Sequence, residues 1–193
     1  MPGTRMLASP DTDVSSGEFR LVGWRDVATA AFLRLVREHY VGPSGEGLQR
    51  VAVRHPGAVA VAPILDGALL LFRQFRSPIG RALLEIPAGK RDSAGEPPEV
   101  TAARELQEEI GYRPGRLELI GSFWTTPGFT DEHMSLFVAT DLEPVDSMPH
   151  GVEEESAELV SIPLSELPGR LAAGEFEDAK TLIAVHHLVA GTR

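Results

Sequence analysis

The chain has 193 residues, 42% of them hydrophobic and 24% charged, enough apolar material for one folded domain but not for two full ones. Its 18 Lys and Arg against 28 Asp and Glu leave a formal charge of −10, which argues against nucleic acid or an anionic membrane as a partner, since both need a basic surface. Cysteine is absent, so disulfides, thiolate metal sites and a cysteine nucleophile are excluded.

The opening MPGTRMLASPDTDVSSG has no apolar h-region of the kind a secretory signal carries and reads as a flexible tail over residues 1–17. No apolar run reaches the roughly 18 residues that span a bilayer, and the longest, from Gly57, is cut by Asp66-Gly67. A cytoplasmic protein is therefore expected. The segment Phe32 to Val41 fits either a strand or an amphipathic turn of helix, and Gly42-Pro43-Ser44-Gly45 closes it as a turn. From Leu48 to Gln74, two β-rich apolar runs flank Asp66-Gly67, a hairpin signal.

After Pro97-Pro98, the residues Glu99 to Ile110 predict a helix: proline suits a first turn, acids follow it, and Gly111 stands where a helix stops. Leu117 to Phe123 and Met134 to Thr140 predict strands on either side of a polar loop, Thr125 to His133. A second polar loop, Glu143 to Glu155, precedes a short strand at Leu159 to Ile162, and two helical patterns split at Gly174 fill Ser165 to Ala190. Strands dominate the middle, with one helix inserted and helices at the end. That order predicts an α+β protein or a layered α/β sandwich.

The chemistry is concentrated in GKRDSAGEPPEVTAARELQEEIGY, Gly89 to Tyr112. On a helix, Glu105, Glu108 and Glu109 fall within an arc of roughly 100°, while Ala102, Leu106 and Ile110 lie on another side. A solvated acidic face is the ordinary explanation of such a run. Against it, the like-charged pairs Glu105/Glu108 and Glu105/Glu109 each cost roughly 0.2–0.5 kcal/mol unless compensated. A divalent cation would compensate them. Carboxylates without Cys or clustered His suit Mg²⁺, or Mn²⁺, which share their coordination shell with substrate phosphates. His186 and His187 are adjacent and project at different angles, so the two do not make a joint metal site, and His150 stands apart from them.

Gly89, Glu96, Arg104, Glu105, Leu106, Glu108, Glu109, Gly111 and Tyr112 together resemble the Nudix box, with six residues rather than the usual five between Gly89 and Glu96. The resemblance implies an α/β/α sandwich with a mixed sheet and a metal-binding loop-helix-loop. It also implies hydrolysis of a nucleoside diphosphate linked to another moiety. Outside the box, Glu85-Ile86-Pro87-Ala88-Gly89, Pro127-Gly128-Phe129-Thr130-Asp131-Glu132, Phe72-Arg73-Gln74-Phe75-Arg76 and Asp178-Ala179-Lys180 are similar to the ADP-ribose pyrophosphatase branch.

For that branch the resemblance implies metal ligands at Glu105, Glu108, Glu109 and the carbonyl of Ala88. Arg76 would contact the diphosphate and Glu132 the terminal ribose, with Phe129 against ribose or base. A glutamate of the 151–155 loop would act as base or further ligand, with Glu154 favoured, then Glu153, and Glu108 as the helical candidate. The products expected from ADP-ribose are AMP and ribose 5-phosphate. Another nucleotide sugar, a dinucleoside polyphosphate, or a non-catalytic nucleotide sensor on the same fold are the alternatives. Residues 18–55 are expected to form N-terminal strands used in a homodimer, and residues 56–193 the hydrolase domain.

Overall fold

The computed structural model describes residues 19–91, 95–146 and 156–191. These divide into two compact units: the described residues up to Pro56 together with Trp124–Glu132, and Gly57–Phe123 with the described residues from His133 onward.

The smaller unit is an antiparallel sheet in the order β1 (Arg20–Ala30), β2 (Leu33–Val41), β3 (Gly47–Arg54). The segment that reads equally as strand or helix is thus the central strand. Its burial explains the ambiguity: only Val36 and Glu38 are fully buried along β2, so it lacks a strong period-two signal. Strand β1 alternates still less; it falls within the residues 18–55 expected to form N-terminal strands, though no pattern in the sequence marks its own bounds. The loop over residues 125–132 docks on the edge of β3, with Val53 N donating to Phe129 O at 2.7 Å and Asp131 N to Val53 O at 3.3 Å.

In the larger unit the sheet runs β10-β5-β4-β9-β8, with β6 paired to β5 and β7 to β4. Its strands are β4 (Ala58–Leu65), β5 (Ala68–Arg76), β6 (Arg81–Glu85), β7 (Ala88–Lys90), β8 (Tyr112–Trp124), β9 (His133–Pro144) and β10 (Glu158–Pro163). β4 and β9 are parallel and the pairings of β4 with β5 and β7 antiparallel, so the sheet is mixed as expected. Asp66 and Gly67 both take positive φ, 49° and 76°, which is what a two-residue turn between twisted strands requires.

Helix α1 (Pro98–Ile110) covers one face of this sheet, and α2 (Leu167–Ala172) and α3 (Ala179–Gly191) belong to the other. The alternation in β4 makes this possible. Val59 and Val61 pack with Ala102, Leu106 and Ile110 of α1, whereas Ala58, Ala60 and Ala62 pack with Ala184 and Val185 of α3. A strand buried on both faces reads as one continuous apolar run, as Gly57 to Leu65 does. Short strands β6 and β7 had no such run to announce them.

Leu106 is fully buried on the sheet side of α1. Leu106→Ala should lower unfolding free energy by about 2–5 kcal/mol, the range for a leucine truncated in a well-packed core. Urea denaturation of the two proteins checks this.

Candidate functional site

Helix α1 starts after Pro97 and ends at Gly111, whose N–H returns to Gln107 O at 3.0 Å. Its first turn is braced from the preceding loop. The Thr101 hydroxyl donates to Glu96 Oε2 at 2.7 Å, and Arg91 Nη2 donates to Glu96 O at 2.6 Å. Glu96 therefore ties loop to helix, and the additional residue ahead of it leaves the spacing of the helical acids untouched.

The three helical glutamates are not alike. Glu105 is buried at 9% exposure, while Glu108 and Glu109 are half-buried. A carboxylate this enclosed is not the solvated face that a charged helix surface usually forms. Arg104 lies between two of the three, with Nη2 2.9 Å from Glu105 Oε1 and Nη1 2.7 Å from Glu108 Oε2. The like-charge cost at helical spacing is therefore already partly offset by a guanidinium of the same helix. Ala88 N donates to Glu109 Oε2 at 3.3 Å, joining the third acid to the backbone of β7.

Gly89 shows how tightly β7 meets the helix. A Cβ at that position would stand 1.9 Å from Glu105 Cδ and 2.2 and 2.3 Å from its two oxygens. Only glycine leaves room for the carboxylate. The acids of this helix offer carboxylate oxygens and no thiolate, a donor type that suits Mg²⁺ or Mn²⁺. Among the described residues, no three acidic or imidazole side chains close on a single point. A small cavity beside Glu109 is lined by Phe72, Gln74 and Ala157.

Arg76 ends β5 and belongs to the same unit. Its Nε and Nη2 fork onto Glu85 Oε1 and Oε2 at 2.8 and 2.7 Å. The hydrogen bonds to Glu85 raise the guanidinium pKa most; burial opposes them, and the charges of Glu85, Asp178 and Glu109 add to the rise. Glu85 is 2% exposed and also meets Lys180 Nζ. Burial pushes the Glu85 carboxyl up, yet the bonds and charges of Arg76 and Lys180 outweigh it and hold it below the usual carboxylate range. This ionic cluster was missed from the sequence, although the short segments holding Glu85 and Lys180 had been singled out.

Glu132 and Phe129 belong to the smaller unit. Thr125 Oγ1 donates to Glu132 Oε2 at 2.7 Å, His55 Nε2 stands 3.7 Å from Glu132 Oε1, and Phe129 is 55% exposed. Asp131 braces the loop by accepting from His55 N at 2.8 Å and from Arg54 Nη1 at 2.9 Å, and Arg54 also pairs with the buried Glu38. An open cleft of about 440 Å³ runs past Tyr40, Arg54 and Phe129. Glu153, Glu154, Glu155 and His150 lie outside the described residues.

Comparison with known proteins follows the same lines. The NUDIX domain model matches residues 54–184. The chain is 36% identical to an ADP-ribose pyrophosphatase of Bacillus subtilis (strain 168), covering 91% of this chain and 95% of that one. It is 41% identical to a methanol dehydrogenase activator of Bacillus methanolicus, over 76% of this chain and 79% of the relative. Among solved structures, one described as an ADP compounds hydrolase superposes with a TM-score of 0.78 at 25% identity, covering 90% of this chain and 93% of its own.

The Gly89 contact yields a direct test. Gly89→Ala should displace the Glu105 carboxylate and raise the Mg²⁺ concentration needed for half-maximal hydrolysis. Gly121→Ala, where an added Cβ meets nothing within 4 Å, should not. A magnesium titration of both variants decides it; matching curves would mean that Glu105 does not need its present seat.

Proposed function

The chain belongs to the NUDIX domain family, and we propose that it is a pyrophosphohydrolase of nucleoside diphosphate sugars that cleaves ADP-ribose to AMP and ribose 5-phosphate. The observation that carries this reading is the enclosed Glu105 seated on Gly89, with Glu109 on the Ala88 N–H beside it. A non-catalytic sensor would have no use for so constrained an acidic cluster. The extent of the match to an ADP-ribose pyrophosphatase supports the substrate class.

Glu105 and Glu109, with Glu108 and the Ala88 carbonyl, are the groups that would hold Mg²⁺. When bound, such an ion neutralises phosphoryl charge and acidifies a water molecule. The protein's remaining tasks are to bind the diphosphate, to exclude wrong orientations and to take a proton. Arg76 binds the diphosphate, since a guanidinium fork matches two phosphate oxygens. Glu132 takes the terminal ribose through its hydroxyls, and Phe129 offers a ring face to ribose or base. Glu154 aligns the attacking water and accepts its proton, with Glu153 next in line and Glu108 as the helical alternative. Support for a contribution from that loop comes from Ala157, two residues beyond Glu155, which lines the cavity beside Glu109.

Residues 18–55 are assigned to homodimer formation and residues 56–193 to hydrolysis. Val22, Val27, Phe32 and Val51, all exposed on the strands or turn of the smaller unit, supply apolar surface for a second copy. Light scattering at micromolar concentration should give twice the chain mass. A fully active monomer would remove the assignment.

Two substitutions separate the roles of the acids. Glu109→Gln should fold normally and lose most metal-dependent turnover, because the shape stays while a charge at the metal site goes. Glu154→Gln should lower kcat by about 10² or more with KM and magnesium dependence nearly unchanged, the size expected of a general base. A raised magnesium requirement in Glu154→Gln would instead make it a ligand. Full kcat in the Gln variants of Glu153, Glu154 and Glu155 alike would move the base to Glu108. Turnover is best followed over a panel of nucleotide sugars and dinucleoside polyphosphates, so that substrate class and mechanism are tested together.

A further inference from the structure

The cluster around Glu85 joins three elements that are far apart in the chain. Asp178, at the start of α3, accepts from Thr181 N at 3.0 Å and from the Thr181 hydroxyl at 2.6 Å, so it caps its own helix. The same Thr181 oxygen accepts from Ile86 N at 2.9 Å, which fixes the strand-end peptide just ahead of Ala88 and Gly89. Lys180, 9% exposed, bridges the two acids: its Nζ meets Glu85 and stands 3.0 Å from Asp178 Oδ1. Glu85 then receives Nε and Nη2 of Arg76.

That pairing has a geometric consequence. A guanidinium has five N–H donors, and one carboxylate bound across Nε and Nη2 takes two of them. Nη1 and the second Nη2 hydrogen remain on the other edge, which is the edge that pairs bidentately with a phosphate. The Arg76 side chain is 39% exposed and that of Glu85 3%, so solvent reaches the arginine while its carboxylate partner is closed off. A lone arginine on a strand end would sample many rotamers, and holding it in advance removes that entropy from the binding step.

We propose that Glu85, itself held by Lys180, is a positioning residue for Arg76 that presents the free guanidinium edge to the diphosphate of the substrate. The assignment rests on the reading of Arg76 as the diphosphate-binding arginine. Lys180 serves a second purpose in it: without that ammonium, the buried Glu85 would share its charge with Arg76 alone, and the arginine would be drawn inward as its sole counterion.

A double-mutant cycle on the full-length protein tests this, with kcat and KM for ADP-ribose measured in saturating Mg²⁺. Arg76→Ala should raise KM. Glu85→Gln should raise KM by about tenfold with kcat little changed, the pattern of lost uniform binding, and should add nothing further in the Arg76→Ala background. An equal rise in both backgrounds, or no rise from Glu85→Gln, would overturn the positioning role and leave the diphosphate reading standing. Unchanged KM in Arg76→Ala would overturn both. If thermal melting shows that Glu85→Gln alone does not fold, the double variant Glu85→Gln/Lys180→Met, which removes the buried cation with its carboxylate, enters the same cycle under the same criteria.

Discussion

Strand β4 has no face toward water, and most of the larger unit follows from that constraint. Its odd-numbered valines demand an apolar cover on one side and its alanines on the other. Helix α1 supplies the first with Ala102, Leu106 and Ile110, and α3 supplies the second with Ala184 and Val185. Small alanines on the α3 side and branched valines on the α1 side set how closely each helix approaches. Because β7 pairs with β4 through Ala58, Val59 and Ala60, the strand that fixes α1 also fixes Ala88 and Gly89 beside it. The acidic site is thus positioned by core packing, and its polar groups need not supply the energy that holds the helix in place.

Much of this was legible in the sequence, for a physical reason. The α1 segment, the Asp66-Gly67 hairpin and the strands on either side of the 125–133 loop are local features: a helical period, a turn dipeptide, a short apolar run. The mixed sheet was expected only through the family resemblance that the box residues carry. What stayed hidden was half-buried or distant. β1 and β2 carry too few buried positions to show a period, and β6 and β7 are too short. The Glu85 cluster joins residues 95 positions apart, so no window on the sequence could display it. Its one sequence trace was indirect, a lysine two residues after an aspartate at the start of an amphipathic pattern.

Glu105 was legible as to its type but not as to its setting. Its helical phase placed it with Glu108 and Glu109, on a face expected to be open. The structure encloses it because Gly89 has no side chain and because Arg104 supplies a counter-charge from the next position on the helix. Both neighbours belong to the recognised motif, yet their spacing alone does not say that one makes room while the other balances charge. The motif therefore describes a packing solution as much as a set of ligands.

Charge sets the final constraint. In the larger unit the cations Arg76, Arg104 and Lys180 are each engaged by carboxylates: Glu85, Glu105, Glu108 and Asp178, with Glu109 beside Arg76. Acids outnumber bases in this named group, on a chain that is itself strongly negative. The diphosphate of a nucleotide sugar, esterified at both ends, carries about two negative charges near neutral pH, and Coulomb repulsion at contact distances in a partly buried site amounts to several kcal/mol per pair. One open edge of Arg76 cannot offset that. On the proposed reading, positive charge brought from outside the chain favours the diphosphate, and the helical carboxylates are the groups that would hold it. The five named acids exceed the three named bases by two, so on the proposed reading a single divalent cation would balance the protein alone, and about one more would be needed to balance the protein with its diphosphate.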